Sequence, residues 1–248
     1  MTSEKASVLV VSDNADLVHY LQNEIEHKKY HELAKFEYAF SIINKNPDAL
    51  KSLGALGVNV KDARFVSEAK NKYSLIISLH CKQIFPKNLV SSVLCVNFHP
   101  GLNPFNRGWY PQVFSIINKM PVGATLHVMD EDVDHGEIID QKEVSVEEYD
   151  TSLELYNRVM EAEKRLISAN LLSLINKSYS TELPSGEGNY NSISSFNQLC
   201  DLDLKSNGSL KEHIDLLRAL SHGDFNNAFF RDEKGKKIYV KISLSAES

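Results

Sequence analysis

Asn97 and His99 stand two residues apart in Val96-Asn97-Phe98-His99-Pro100-Gly101. On an extended chain that spacing sends an amide and an imidazole to the same face. The apolar run Leu94-Cys95-Val96 leads into them. Pro100 and Gly101 close it, because proline lacks a ladder donor and glycine permits a tight turn. The carboxyl end of a buried strand is where open α/β sheets hold their ligands. Further along, Val128-Met129-Asp130-Glu131-Asp132-Val133-Asp134-His135-Gly136 places four carboxylates within five residues. The regular alternation of oxygen ligands that a calcium or magnesium loop needs is missing, so no metal is expected. The other use of such a loop is for one carboxylate to turn inward and orient His99.

An amide, an imidazole and a carboxylate together suit transfer of an acyl group to an amine. Imidazole takes the proton that an attacking amine sheds, close to its working pKa. A neighbouring carboxylate favours the imidazolium and fixes the ring. The asparagine amide donates to a carbonyl oxygen as charge builds on it, an effect of about 3 kcal/mol per donor. No activated serine or cysteine nucleophile is evident, so direct attack by the amine is the expected route.

The positioning elements follow from pattern. Ser7–Val11 and Leu75–Leu79 are continuous apolar runs, as in parallel strands covered on both faces. Ser12-Asp13-Asn14 reads as turn and N-cap for a helix on Leu17, Val18, Leu21 and Ile25. That turn has no glycine, so the phosphate-binding G-x-G-x-x-G fingerprint is absent. Phe36–Ile43 alternates like a strand, and Asp48–Val58 suits a short helix closed by Gly57. Val93–Val96 is a strand, and a helix starts near Pro111. Ala124–Met129 and Glu137–Val146 are strand-like. Thr151 and Glu154 form a capping-box signature before a long amphipathic run to about Lys177, with Leu155, Val159, Ala162, Leu166, Ala169 and Leu172 on one face. Alternating strands and helices imply an α/β, doubly wound, mostly parallel sheet through residue 178. Residues 179–248 then form a C-terminal extension. In it Ser209 and Glu212 cap a helix ending at Gly223, and Ala228–Arg231 and Ile238–Ile242 form a hairpin. A lone hairpin is marginal in water, so it is expected to pack on the main domain or on a second copy of the chain.

The 248 residues carry 27 basic and 33 acidic side chains, a formal net charge of -6. That balance argues against a nucleic-acid partner, which needs a basic face. No apolar run reaches the roughly 18 residues of a membrane span. Met1–Lys5 leads straight into a strand without a signal-peptide core. Cys81, Cys95 and Cys200 are odd in number and widely spaced, as reduced thiols of a cytoplasmic protein are.

The Asn-x-His-Pro strand end, followed by a loop ending in Asp-x-Gly before a strand, resembles the formyltransferases that use N10-formyltetrahydrofolate. The resemblance covers residues 75 to 140 well and the first strand loosely, and it implies a Rossmann-like fold. It also implies that Asn97, His99 and Asp134 are the catalytic Asn, His and Asp. Gln83, Ile84 and Phe85 match the segment whose backbone receives the pterin, and Asp130, Glu131 and Asp132 match the loop on its other side. Leu79-His80-Cys81-Lys82-Gln83-Ile84-Phe85-Pro86, Asn103 through Gln112, and Asp134-His135-Gly136 are most similar to the sugar-nucleotide branch acting on dTDP-4-amino-4,6-dideoxyglucose. By that similarity formyl passes to the C4 amine of a dTDP-linked amino-dideoxy sugar of bacterial surface polysaccharide (O-antigen or lipopolysaccharide), and the protein is a homodimer. The partner expected is thus a nucleotide-linked amino sugar, with no nucleic acid and no membrane.

Two readings stand for Arg107, Trp109, Tyr110 and Lys82. Arg107 pairs with a diphosphate through two parallel donors, or is a surface residue beside a turn. Trp109 and Tyr110 form an aromatic wall for sugar or thymine, or are core residues opening a helix. Lys82 contacts substrate, or is a solvated loop lysine. His80 and His127 read as satisfied structural histidines, and His135 as a residue shaping its loop. The rival activities are methionyl-tRNA formyltransferase, which calls for a basic surface and a larger C-terminal domain, and formyltetrahydrofolate hydrolase. A non-catalytic folate- or nucleotide-binding module is the alternative outside enzymes.

Overall fold

The computed structural model describes residues 5–247. Residues 1–4, which carry the expectation about a signal peptide, lie outside the described residues. In chain order the elements are β1 (Ala6–Ser12), α1 (Ala15–His27), β2 (Ala34–Ser41), α2 (Asp48–Ser52), β3 (Leu56–Val58), α3 (Ala63–Lys72), β4 (Leu75–Leu79), α4 (Lys87–Val90), β5 (Cys95–His99), β6 (Arg107–Gly108), α5 (Pro111–Asn118), β7 (Val122–Val128), β8 (Ile138–Val144), α6 (Ser152–Asn176), β9 (Tyr190–Asn191), α7 (Ile193–Cys200), α8 (Leu210–Leu220), β10 (Phe229–Arg231) and β11 (Lys237–Tyr239). Two compact units share this chain. One comprises the chain up to His99, Ala124–Lys142 and Glu163–Ser185; the other Pro100–Gly123, Glu143–Ala162 and the chain from Gly186 onward.

The first unit is built on a seven-stranded sheet in the order β3-β2-β1-β4-β5-β7-β8. Pairings β1–β2, β1–β4, β2–β3 and β4–β5 are parallel, and β5–β7 is antiparallel. The sheet is thus mostly parallel and Rossmann-like, with its strand order reversing about β1 and β4. Leu9, Val11, Ile76, Phe85, Leu89 and Cys95 belong to one buried cluster. On α1 the spaced Leu17, Val18, Leu21 and Ile25 are all buried. Each such side chain taken out of water contributes about 1.5–3 kcal/mol. Asn14 caps α1, its side chain accepting from the Leu17 N–H at 3.1 Å.

The second unit holds α5, α7, α8, the β6–β9 pair and the β10–β11 hairpin. Ser209 and Glu212 form a complete capping box on α8. Arg218, 2% exposed, donates to Asp215 Oδ1 at 2.7 Å and to the carbonyls of Glu147 and Asp150.

Several expectations need correction. Asp48–Val58 is not one helix: α2 stops at Ser52, Gly54 turns the chain at φ 83°, and Leu56–Val58 pairs with β2. Gly57 therefore lies inside a strand, with the Phe40 ring 3.3 Å from where a Cβ would stand. The strand expected at Val93–Val96 begins at Cys95 and runs through His99, which puts Asn97 and His99 in the ladder itself. On α6, Leu155, Val159, Ala162 and Leu166 are buried, but Ala169 and Leu172 are exposed and Ile167, Leu171 and Leu174 are buried instead. A repeat of 3.5 drifts off the face of a helix that turns every 3.6 residues. The α8 helix ends at Leu220, short of Gly223. Helix α3, capped by Asp62, and helix α7, capped by Ser192, had no counterpart in the sequence reading.

Candidate active site

Strand β5 sets two of the three residues. Asn97 and His99 leave it on the same face, while Phe98 between them is 1% exposed in the core. His99 is itself 3% exposed. Antiparallel pairing places His127 of β7 opposite Asn97 and Thr125 opposite His99.

The third residue comes from the β7–β8 loop, whose shape is forced locally. Gly136 backs onto β7 so closely that an added Cβ would lie 1.9 Å from the Val128 carbonyl oxygen. The Asp130 carboxylate accepts from the Asp132 N–H and from His135 Nδ1, each at 2.9 Å, so His135 does shape the loop. Glu131 pairs with Lys87. Within this frame Asp134 adopts φ 51°, and its side chain, 11% exposed, turns inward. Its Oδ1 accepts from Asn97 Nδ2 at 3.0 Å, and its Oδ2 lies 3.4 Å from His99 Nδ1.

His127 touches the same group. Its Nδ1 is 3.0 Å from the Val128 carbonyl, which can only accept, so the proton of the neutral ring sits on Nδ1. Its Nε2 then faces Asn97 Nδ2 at 3.3 Å as an acceptor. The Asn97 amide nitrogen is therefore shared between Asp134 and His127, which fixes the side chain's orientation. The His99–Asp134 contact is longer than a tight N–H···O bond. The arrangement offers a buried imidazole, a carboxylate beside it and an oriented amide donor. Cys81 and Cys95 are pushed up to about 12 by burial, so neither supplies a thiolate.

Segment 81–86 has no regular secondary structure, so its peptide groups belong to no ladder. The exposed Lys82 donates its backbone N–H to Asp13 Oδ2 at 2.7 Å. The Gln83 side chain is engaged on both ends, accepting from the Val60 N–H at 3.3 Å and donating to Asn59 Oδ1 at 2.9 Å. Ile84 is exposed, and Phe85 is anchored in the core.

Arg107, Trp109 and Tyr110 belong to the second unit. Fully buried Asn106 is their hub: its amide nitrogen donates to Ser115 Oγ at 2.9 Å, and its oxygen accepts from Asn118 and Asn189 at 2.6 and 2.8 Å. Gly188 is pressed against Pro104, where a Cβ would meet the carbonyl oxygen at 1.8 Å. Arg107 lies half-buried on β6, with its Nε out of reach of any acceptor among the described residues. Tyr110 opens α5 and packs on Phe196 with ring centroids 4.1 Å apart, while Trp109 is 36% exposed.

Comparison with known proteins adds a second line of observation. Residues 3–171 match the family described as Formyl transferase, and residues 195–246 match the N-formyltransferase dimerization C-terminal domain. The chain is 45% identical to the dTDP-4-amino-4,6-dideoxyglucose formyltransferase of Mycobacterium tuberculosis over 75% of its own length and 79% of that protein. Among solved structures, a sugar N-formyltransferase from Shewanella shares 50% identity at a TM-score of 0.96, covering 98% of this chain and 99% of its own. A 4-N formyltransferase from Francisella tularensis shares 38% identity at a TM-score of 0.89, with the same coverage. By sequence and by fold, the chain belongs to the formyl transferase family and is an N-formyltransferase.

Proposed function

We propose that the enzyme moves a formyl group from N10-formyltetrahydrofolate to the C4 amine of a dTDP-linked amino-dideoxy sugar. The observation that carries this reading is the convergence of Asn97 and His99 on Asp134. The substrate class rests on the name of the Mycobacterium relative and the C4 position on the description of the Francisella structure. Folate supplies the formyl group. His99 takes the proton released as the amine nitrogen bonds to the formyl carbon, and gives it to the nitrogen that departs. Asp134 holds the ring and balances its charge. Asn97 turns one amide proton from Asp134 or His127 to the formyl oxygen as that oxygen becomes negative.

The peptide groups of Gln83, Ile84 and Phe85 receive the pterin, with Asp130, Glu131 and Asp132 on its other side. The irregular backbone of 81–86 and the downward anchoring of Gln83 and Phe85 fit that use. Arg107, Trp109, Tyr110 and Lys82 serve the nucleotide sugar, the unsatisfied Arg107 Nε suiting a phosphate oxygen. The extension 179–248 makes the homodimer, consistent with the description its residues match and with the exposed Phe225 and Tyr239. Light scattering at micromolar protein checks that state, a monomer refuting it. The reaction belongs in the cytoplasm, ahead of surface-polysaccharide assembly.

The test is incubation with N10-formyltetrahydrofolate and a panel of amines, with the formamide product read by mass spectrometry. Formylation of a dTDP-4-amino sugar is expected, and His99→Ala is expected to lower turnover about 10²–10⁴-fold. Formyl release without an acceptor would instead indicate a hydrolase. Formylation confined to methionyl-tRNA, or silence with every amine, would overturn the proposal.

A further inference from the structure

A second polar cluster lies in the first unit at the carboxyl ends of β1 and β4. His80, the residue after β4, has φ 56°. Its Nε2 is 2.9 Å from both carboxylate oxygens of Glu163 on α6. Glu163 is fully buried, and burial pushes its carboxyl up. On the other side, the Asn14 oxygen is committed to capping α1, which turns its Nδ2 to 3.5 Å from His80 Nδ1. An amide nitrogen only donates. His80 Nδ1 is therefore the acceptor, and the ring proton sits on Nε2 between the two Glu163 oxygens.

This cluster anchors the segment already proposed to receive the donor. Lys82 is tied to Asp13, whose other oxygen accepts from the Ser41 N–H at 3.1 Å. Gln83 is tied to Asn59 and Val60. Three of the four residues 80–83 are thus pinned by groups from α6, the β1 loop and the chain after β3. Packing alone does not call for a buried carboxylate, because an apolar side chain of that size serves a helix face better. The adjacent ends of β1 and β4, where the strand order reverses, are also where ligands of open sheets bind.

We propose that Asn14, His80 and Glu163 are positioning residues that hold 81–85 in the shape that takes the formyl donor. This rests on the reading that 81–85 is the donor platform. Neither His80 nor Glu163 touches the reacting atoms in this account. The cap on α1 fixes the amide, the amide fixes the imidazole tautomer, and the imidazole secures the turn against the buried carboxylate.

The test uses the full chain with two variants. Glu163→Gln replaces one of the two oxygens facing His80 Nε2 with an amide nitrogen that cannot accept; Asn14→Ser keeps a capping oxygen but removes the N–H facing His80. Binding of 5-formyltetrahydrofolate is measured by calorimetry, steady-state constants with both substrates, and melting by circular dichroism. Glu163→Gln is expected to weaken binding and raise the donor KM about tenfold, with Asn14→Ser weaker in the same direction. The KM for the amino sugar and kcat at saturating donor stay as in the wild type. Unchanged donor binding in either folded variant overturns the proposal, as do donor and acceptor constants that worsen together with the melting temperature. If Glu163→Gln does not fold, Asn14→Ser decides alone. Failure of the wild type to bind 5-formyltetrahydrofolate would refute the donor platform itself.

Discussion

In the proposed mechanism Asp134 works through charge and not through shape. Replacing it by asparagine keeps the side chain's size but puts a neutral amide where Asn97 Nδ2 and His99 Nδ1 face an anion. Asp134→Asn is expected to lower kcat about a hundredfold at unchanged melting temperature, checked by steady-state rates beside a thermal scan. At this scale the sequence was partly readable. The parity of Asn97 and His99 needs only an extended chain. Spacing did not single Asp134 out from Asp130, Glu131 and Asp132; the loop's turn at Gly136 does, and only the family resemblance pointed to it. His127 looks like any core histidine until β7 is laid against β5. Glu163 had left a trace, an acid on the apolar stripe between Ala162 and Leu166.

Among elements, the β7–β8 loop has little room for change. The Val128 carbonyl belongs to a paired strand and cannot retreat, so a side chain at 136 must displace the loop. Gly136→Ala is expected to reduce turnover at least tenfold through misplacement of Asp134, with a melting loss of a few degrees for about 1 kcal/mol. Rates and circular dichroism on one preparation separate the two effects. Long elements with strong patterns were legible: β1, α1, β4 and the capping box of α8, with Glu154 accepting from the Thr151 N–H at the start of α6. Short ones were not. Leu56–Val58 has too few residues to show an alternation, and it becomes a strand because β2 offers an open edge. The drift along α6 is hidden in the sequence because seven-residue spacing and true helical spacing agree over two turns and part company over seven.

For the whole molecule, the second unit depends on a buried charge group. Burial alone would raise the Asp215 carboxyl, but Lys119 and Arg218 outweigh it and hold it below its ordinary value. A carboxyl depressed in the folded state adds stability above its unfolded pKa and loses it as pH falls through the folded one. Asp215→Asn is therefore expected to cost about 3 kcal/mol near neutral pH, leaving Arg218 with a buried, uncompensated charge. The difference from wild type narrows in acid below the ordinary aspartate range. Urea titrations across pH measure it, and a constant difference would refute the assignment.

The antiparallel junction of β5 and β7 has a corollary for how such enzymes diversify. The two strands work as a ruler. Deleting one residue from either would swing the amide and imidazole to the opposite side of the sheet, or replace the facing histidine with an aliphatic neighbour. Length changes are thus ruinous within these strands and in the β7–β8 loop that carries Asp134. A lineage can remodel what it formylates by rebuilding other loops while the chemistry keeps to a fixed gauge.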